Sequence, residues 1–271
     1  MSRAPWSRWW QVAGSFHLVR RGYGWWRGRG QPASAVATSP RFPGLDSQRL
    51  VADLRRDALA TGLQLPPAEV AALRALAHNA PLQHERVGHG FTHAECPNGQ
   101  LASGERVSMA YVSALRTFAL VEALVQDPLL KATARQYIGY EPEGIDARLW
   151  FSFTGEFDLE TRRHMNQTVE YHHDVDHQHG NYFYVSFYLS DVDRDSGAHC
   201  MILGSHTDKP LRMKLGARRR TDAEILAHYG AARERVLEGP AGTGFIEDAA
   251  CYHRALAPVT RERLMLQLRY F

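Results

Sequence analysis

The residues best suited to chemistry lie in a histidine-rich segment of the sequence. Five of the 14 histidines fall between His164 and His179. In an extended segment, residues i and i+2 point to the same side, so His172 and Asp174 would present an imidazole and a carboxylate to one point. These are two metal ligands, and a complete site needs a third ligand from elsewhere in the fold.

The third ligand is expected from a late strand. His253 follows Asp174 after 78 intervening residues, on another predicted strand. With the first two ligands it would complete a 2-His-1-carboxylate triad, an arrangement that binds Fe(II) and leaves positions on the metal open. Asp176, His177 and His179 are alternative ligands, in a different, cupin-like arrangement.

An arginine near the end of the chain could bind an anionic co-substrate. If 2-oxoglutarate chelates the metal through its keto-acid end, its distal carboxylate is left buried. A planar guanidinium binds a carboxylate with two hydrogen bonds and stays charged at any working pH. Arg263 and Arg261 have the same strand parity, and both could serve. Arg263 is favoured because it borders the alternating apolar residues Leu264, Leu266 and Leu268.

The elements that must position these residues are predicted to be helices first and strands later. Hydrophobic spacing and capping residues predict helices at 46–62 and 67–77, and a third at 113–137 that is broken near Asp127–Pro128. The strand candidates are Ala147–Phe153, Thr168–His173, Tyr182–Asp191, His199–Leu203, Gly244–His253 and Arg263–Phe271. A helix at 221–237, with a capping box at Thr221 and Glu224, interrupts them. This order predicts a β-sandwich or barrel with helices packed outside it.

Two stretches of this second half resemble sequence signatures of the phytanoyl-CoA dioxygenase-like family. One is Tyr188–Gly197, which continues to Gly204-Ser205-His206, and the other is Gly239–Asp248. The likeness covers about residues 46–271 and is most specific from 168 to 271. It implies an α+β fold with a mainly β core. That core is a double-stranded β-helix (jelly-roll) with N-terminal helices packed outside and a helical insert between late strands.

The same resemblance implies a non-haem dioxygenase that depends on Fe(II), 2-oxoglutarate and dioxygen. His172, Asp174 and His253 are implied as iron ligands, and Arg263 as the residue that binds 2-oxoglutarate. The implied reaction is hydroxylation of an unactivated C–H bond with release of succinate and CO2. The carboxylate of Asp174 favours this outcome, because related halogenases carry Gly or Ala there. Ala255 departs from the pattern, since some relatives have a hydroxyl residue at that position.

Two other classes of protein stay open at this point. One is a cupin-type metal enzyme that does not use 2-oxoglutarate, and the other is a catalytically silent jelly-roll that binds a small molecule or a partner. The substrate itself is not predictable, because one fold serves many functions. The resemblance spans acyl thioesters, amino acids, natural products, phosphonates and glycolipids. A small-molecule, lipid-linked or glycan-linked substrate is expected.

Residues 1–45 differ in composition from the rest of the chain. They hold seven arginines, no Asp or Glu, and five of the six tryptophans. This composition is typical of a segment in an anionic headgroup layer, so peripheral membrane contact through residues 1–30 is one interpretation. The other is an extension whose aromatic residues pack on its own domain. The predicted division is a basic Trp/Arg-rich extension at 1–45 and a dioxygenase domain at 46–271.

The overall composition narrows the class of protein further. The chain has 271 residues, of which 44% are hydrophobic, and no apolar run reaches the roughly 20 residues of a membrane-spanning helix. The three cysteines have no paired spacing, which predicts reduced thiols in a soluble cytoplasmic protein. The net charge is +3, and since residues 1–45 contribute +7, the remainder stands at −4. A net negative domain argues against nucleic acid as a partner. Oligomeric state is not predictable.

Overall fold

The computed structural model describes residues 10, 12–85, 87–113, 115–155, 157–164, 168–175 and 180–271. Two antiparallel sheets form its core. Their strands are β1 (Leu59–Gln64), β2 (Leu82–Gln83), β3 (Met109–Val112), β4 (Ile145–Ser152), β5 (Phe183–Tyr188), β6 (His199–Ile202), β7 (Glu234–Leu237), β8 (Thr243–Glu247), β9 (His253–Ala255) and β10 (Arg263–Tyr270). The larger sheet has seven strands in the order β1-β8-β5-β10-β4-β3-β2, and the smaller has three in the order β7-β6-β9.

The helices lie mostly before and around these strands. They are α1 (His17–Arg27), α2 (Ser47–Asp57), α3 (Pro67–Asn79), α4 (Ala119–Val125), α5 (Pro128–Ile138), α6 (Leu159–His164), α7 (Leu211–Leu215) and α8 (Asp222–Tyr229). The predicted α+β architecture, a jelly-roll with helices outside and a helical insert between late strands, is confirmed. Among the described residues, none of the helices has the length and apolar character needed to cross a membrane.

The predicted helix at 46–62 is shorter than expected. The Asp46 side chain caps α2 by accepting a hydrogen bond from Arg49 N at 2.8 Å. The helix ends at Asp57 because Ala58 adopts a left-handed conformation with φ of 65°. This turn redirects the chain, so Leu59 begins a strand and does not extend the helix.

The sequence predicted the starts of two later helices correctly, but it predicted the end of one of them wrongly. The predicted break at Asp127–Pro128 separates α4 from α5. The capping box of Thr221 and Glu224 opens α8, as predicted. That helix was predicted to reach residue 237 but ends at Tyr229, because Gly230 has a φ of 76° and the following residues lead into β7.

The predicted strand Gly244–His253 is two strands with a turn between them. β8 ends at Glu247, β9 begins at His253, and we call the residues Asp248–Cys251 the 248–251 turn. The predicted strand Thr168–His173 is also incomplete. Within it, only Tyr171 and His172 form isolated bridges to other segments. The turn between β8 and β9 contains the buried carboxylate of Asp248.

Strand alternation gives the large sheet two different faces. Arg263 and Met265 of β10 line a cavity between the sheets. The intervening Leu264 and Leu266 are buried in a core that also contains residues of α2, α3, α4 and α5. The cavity therefore lies inside the jelly-roll, and the helices cover the opposite face of the larger sheet.

The described part of the N-terminal segment packs against the rest of the chain. Gly24 of α1 lies so close to α5 that a Cβ atom there would be 2.2 Å from a backbone oxygen of that helix. Trp10 is buried, whereas Trp25 and Trp26 are exposed. Residues 1–9 of the predicted membrane-contact segment lie outside the described residues, and that contact stays a prediction.

Candidate metal centre

The structure brings His172, Asp174 and His253 together. One ligand atom from each side chain lies within 4.8 Å of the others, and this is the metal-capable group found among the described residues. Both histidines approach Asp174 through Nε2, at 4.0 Å from one carboxylate oxygen each. The alternative ligands Asp176 and His177 lie outside the described residues, as does His179.

The backbone fixes this arrangement. His172 and His253 form a bridge in which each backbone N–H donates to the other residue's carbonyl, at 3.0 and 2.8 Å. Asp174 N donates to Ala249 O at 2.8 Å. The segment that carries the first two candidate ligands is therefore hydrogen-bonded directly to the chain around the third.

The hydrogen bonds of both imidazoles suit a metal ion. His172 Nδ1 lies 3.1 Å from Glu170 O, and His253 Nδ1 lies 2.9 Å from Cys251 O. A carbonyl oxygen can only accept, so each Nδ1 carries the proton and each Nε2 keeps its lone pair for a ligand. Burial, with the nearby His253 ring, lowers the pKa of His172 to about 4. His172 is therefore neutral at physiological pH, as a metal ligand must be.

The candidate ligands stand at the rim of a cavity of about 190 Å³ between the two sheets. The Asp174 side chain is 42% exposed, whereas that of His253 is 7% exposed. Trp150, Met265 and Arg263 line the same cavity. An ion at the triad would therefore face both the cavity and the solvent.

Arg263 is a buried cation without a carboxylate partner in the described chain. It is 4% exposed, and it donates through Nη1 to Gly197 O and through Nη2 to Ser152 Oγ, the latter at 3.2 Å. Its Nε has no hydrogen-bond partner, and burial lowers its pKa. A buried guanidinium surrounded by neutral groups is costly unless an anion joins it, so the cavity is suited to an anionic ligand.

Arg261, the competing candidate, lies elsewhere. Its guanidinium donates to Asp193, and both side chains are about half exposed. Arg261 is not among the residues that line the cavity. The position of Arg263 is therefore the one compatible with binding an anion between the sheets.

A buried pair beside the triad was not predicted as part of the site. His199 Nε2 lies 2.7 Å from Glu247 Oε2, and the His199 ring stacks on His253 with 5.6 Å between ring centroids. Burial would raise the pKa of Glu247, but the charge and hydrogen bond of His199 outweigh it and the pKa is lowered. Strand parity gave no signal of the contact between His199 and Glu247, because β6 and β8 belong to different sheets.

Of the aromatic residues of β5, Tyr184 lines the cavity. Tyr188 is buried and donates to Leu237 O at 2.9 Å. His173 is buried, and neither ring nitrogen has a hydrogen-bond partner in the described structure. Its ring instead packs edge-on against Tyr252.

No protein-family model matches the sequence, and no curated protein matches it either. Solved structures do match. SnoN, a non-heme alpha-ketoglutarate-dependent epimerase from nogalamycin biosynthesis, is 21% identical over 83% of this chain and 82% of its own, with a TM-score of 0.52. SnoK, a carbocyclase of the same pathway, is 17% identical over 86% and 87%, with a TM-score of 0.54. EvdO2 from Micromonospora carbonacea var. aurantiaca, solved with 2-oxoglutarate, is 14% identical over 88% and 92%, with a TM-score of 0.54.

These matches define the fold. The chain has the fold of non-heme, 2-oxoglutarate-dependent enzymes over most of its length, and the likeness predicted from the sequence is confirmed at that level. The matched proteins differ in the reactions named for them, one an epimerase and one a carbocyclase. A likeness at this level of identity shows the fold, so the class of enzyme and its reaction must both be argued from the site.

Proposed function

We propose that this protein is an Fe(II)- and 2-oxoglutarate-dependent oxygenase that acts on a small molecule. The observation that supports it most is the pairing of two features in one cavity. A group of two imidazoles and a carboxylate lines this cavity, and so does a buried guanidinium without a carboxylate partner among the described residues. SnoN has been solved with Fe3+ and alpha-ketoglutarate, and HygX from Streptomyces hygroscopicus with nickel and 2-oxoglutarate.

In this proposal His172, Asp174 and His253 hold the iron. The two imidazoles and the partly exposed carboxylate would hold the iron as a 2-His-1-carboxylate set, a donor set that leaves positions on Fe(II) free for other ligands. Bound iron supplies the oxidising chemistry, with 2-oxoglutarate and dioxygen consumed and succinate and CO2 released. The protein supplies geometry and exclusion of water.

Arg263 binds the distal carboxylate of 2-oxoglutarate. Its buried guanidinium is held from one side by Gly197 O and Ser152 Oγ, so its orientation is set before the co-substrate arrives. The cavity of about 190 Å³ is below the range of roughly 300–1,000 Å³ that is common for ligand sites. The proposal therefore places the co-substrate in this cavity and the substrate at the exposed side of Asp174.

The outcome we propose is hydroxylation of a C–H bond. Asp174 supplies a carboxylate where a halogenase would need an empty position for a halide, which supports oxygen transfer. Nothing in the described residues adds support for a lipid- or glycan-linked substrate, so the proposal is limited to a small molecule.

A substrate screen tests this proposal. Purified protein with Fe(II), 2-oxoglutarate and oxygen is assayed for succinate release above the level measured without substrate. The mass of the product is then measured by mass spectrometry. Hydroxylation adds one oxygen atom to the substrate, epimerisation leaves its mass unchanged, and ring closure removes two hydrogens. We expect added oxygen and loss of all turnover in Asp174→Ala. Substrate turnover that is indifferent to 2-oxoglutarate and to Arg263→Met would contradict the proposal and favour a metal enzyme of another type.

A further inference from the structure

The 248–251 turn supplies hydrogen-bond acceptors to two of the three candidate metal ligands. Ala249 O accepts from the backbone N–H of Asp174 at 2.8 Å. Cys251 O accepts from Nδ1 of His253 at 2.9 Å. The turn therefore positions the backbone of Asp174, and it fixes the rotation of the His253 ring.

The turn is built around one buried carboxylate. Asp248 is 0% exposed, its Oδ1 accepts from Ala250 N at 2.9 Å, and its backbone carbonyl accepts from Cys251 N at 2.9 Å. Such a carboxylate is stable only when cations or donors surround it. The Asp248 side chain therefore needs cations or hydrogen-bond donors from outside the turn.

Those partners come from two helices far away in the sequence. Arg20 of α1 donates to both oxygens of Asp248, at 2.9 and 2.7 Å. Tyr137 of α5 donates its hydroxyl to Asp248 at 2.7 Å. Burial would raise the pKa of Asp248, but the charge and hydrogen bonds of Arg20, with the nearby His206 and the Tyr137 hydroxyl, together lower it below that of a free carboxyl, so Asp248 is ionised when folded. Asp248 and Arg20 form a buried, bidentate ion pair across 228 positions of sequence.

Helix α1 is fixed where Arg20 can make this contact. Asn181 Nδ2 donates both to Arg20 O at 2.9 Å and to Ile138 O at 3.0 Å, which joins α1 to α5. Gly24 provides the close approach of the two helices. The Arg20 side chain is 12% exposed. The N-terminal helix is therefore docked by specific polar contacts next to the turn.

We propose that Arg20 is a positioning residue for the metal centre, and that α1 contributes to the enzyme domain by supplying this residue. This inference rests on the proposed function, because it assumes that His172, Asp174 and His253 bind a metal. Arg20 forms an ion pair with Asp248, and Asp248 accepts a hydrogen bond within the 248–251 turn. Carbonyl groups of the turn accept hydrogen bonds from Asp174 and His253. Loss of Arg20 frees the turn, so the ligands lose their preset geometry and metal affinity falls.

The test is titration of the metal-free, full-length protein with Ni2+ by calorimetry. Removing partners that orient metal ligands costs about 10- to 100-fold in metal affinity, so we expect Arg20→Ala to weaken Ni2+ binding at least about tenfold. Arg20→Lys, which keeps the charge, should recover part of the loss. The matched control is Arg21→Ala, which removes an exposed arginine from the same helix and should bind as the wild type does.

A second variant keeps the test decisive if Arg20→Ala does not fold by circular dichroism. Tyr137→Phe removes only the hydroxyl that donates to Asp248, and we expect a smaller loss of Ni2+ affinity in the same direction. Wild-type affinity in both Arg20→Ala and Tyr137→Phe, or in Tyr137→Phe alone when the first is unfolded, would overturn the inference. Failure of the wild type to bind Ni2+, or full affinity in Asp174→Ala, would instead contradict the proposed function.

Discussion

Two buried arginines of this protein have opposite environments. Arg20 meets both oxygens of the fully buried Asp248, and the pair is complete without any ligand. Arg263 is more deeply buried, and it contacts a carbonyl and a hydroxyl, with no carboxylate partner in the part of the chain that the structure describes. The first arginine stabilises the folded chain. The second is a buried charge that, in the proposed function, pairs with the carboxylate of 2-oxoglutarate.

The difference distinguishes a structural ion pair from the proposed ligand site. A protein gains nothing in stability by burying an unpaired cation, and it loses several kcal/mol if one member of a buried pair is removed. The two arginines should therefore respond oppositely to the same substitution. This difference between Arg20 and Arg263 can be tested in the metal-free protein, without knowledge of the substrate.

The largest expected effect is on stability. Arg20→Met leaves the Asp248 carboxylate buried without its cation, so we expect the free energy of unfolding to fall by roughly 3 kcal/mol. Arg263→Met removes an uncompensated charge, and we expect the free energy of unfolding to stay the same or to rise. Urea unfolding of the metal-free protein, followed by circular dichroism, measures both values. Equal losses of unfolding free energy in the two variants would contradict the proposed difference between the two arginines.

A smaller effect is expected in acid. The folded-state pKa of Asp248 lies below that of a free carboxyl, so its stabilisation is present above pH of about 4 and is lost as the pH falls through the folded-state pKa. The difference in unfolding free energy between wild type and Arg20→Met should therefore shrink as the pH falls below about 4. A difference that stays constant from neutral to acid pH would show that the pair does not govern Asp248.

Much of the candidate site followed from local patterns in the sequence. The spacing of His172 and Asp174 and the late His253 predicted three side chains that the structure brings together. The apolar alternation after Arg263 favoured it over Arg261, and only Arg263 lies against the cavity. Strand periodicity carries this information, because it determines which side chains share a face.

Other features depend on contacts that no local pattern contains. The pairing of His199 with Glu247 joins strands of two different sheets. The division of the predicted strand 244–253 into β8, the 248–251 turn and β9 depends on Asp248, whose cation is supplied by Arg20 at the other end of the chain. Sequence separation of this size leaves no periodic signal, so the role of the N-terminal helix could be found only in the folded structure.

The most direct measurement of the central claim is an anaerobic titration with 2-oxoglutarate. The protein is loaded with Fe(II), and the weak visible charge-transfer band of the chelated co-substrate is followed. We expect the band in the wild type and in Arg261→Met at the same midpoint. Loss of a charged hydrogen-bond partner costs about 1.5–3 kcal/mol, so Arg263→Met should raise the midpoint about 10- to 100-fold. Asp174→Ala removes one of the three proposed ligands, so the band should need more Fe(II) to form than in the wild type. A band that forms equally well in Asp174→Ala, or none in the wild type, would contradict the account.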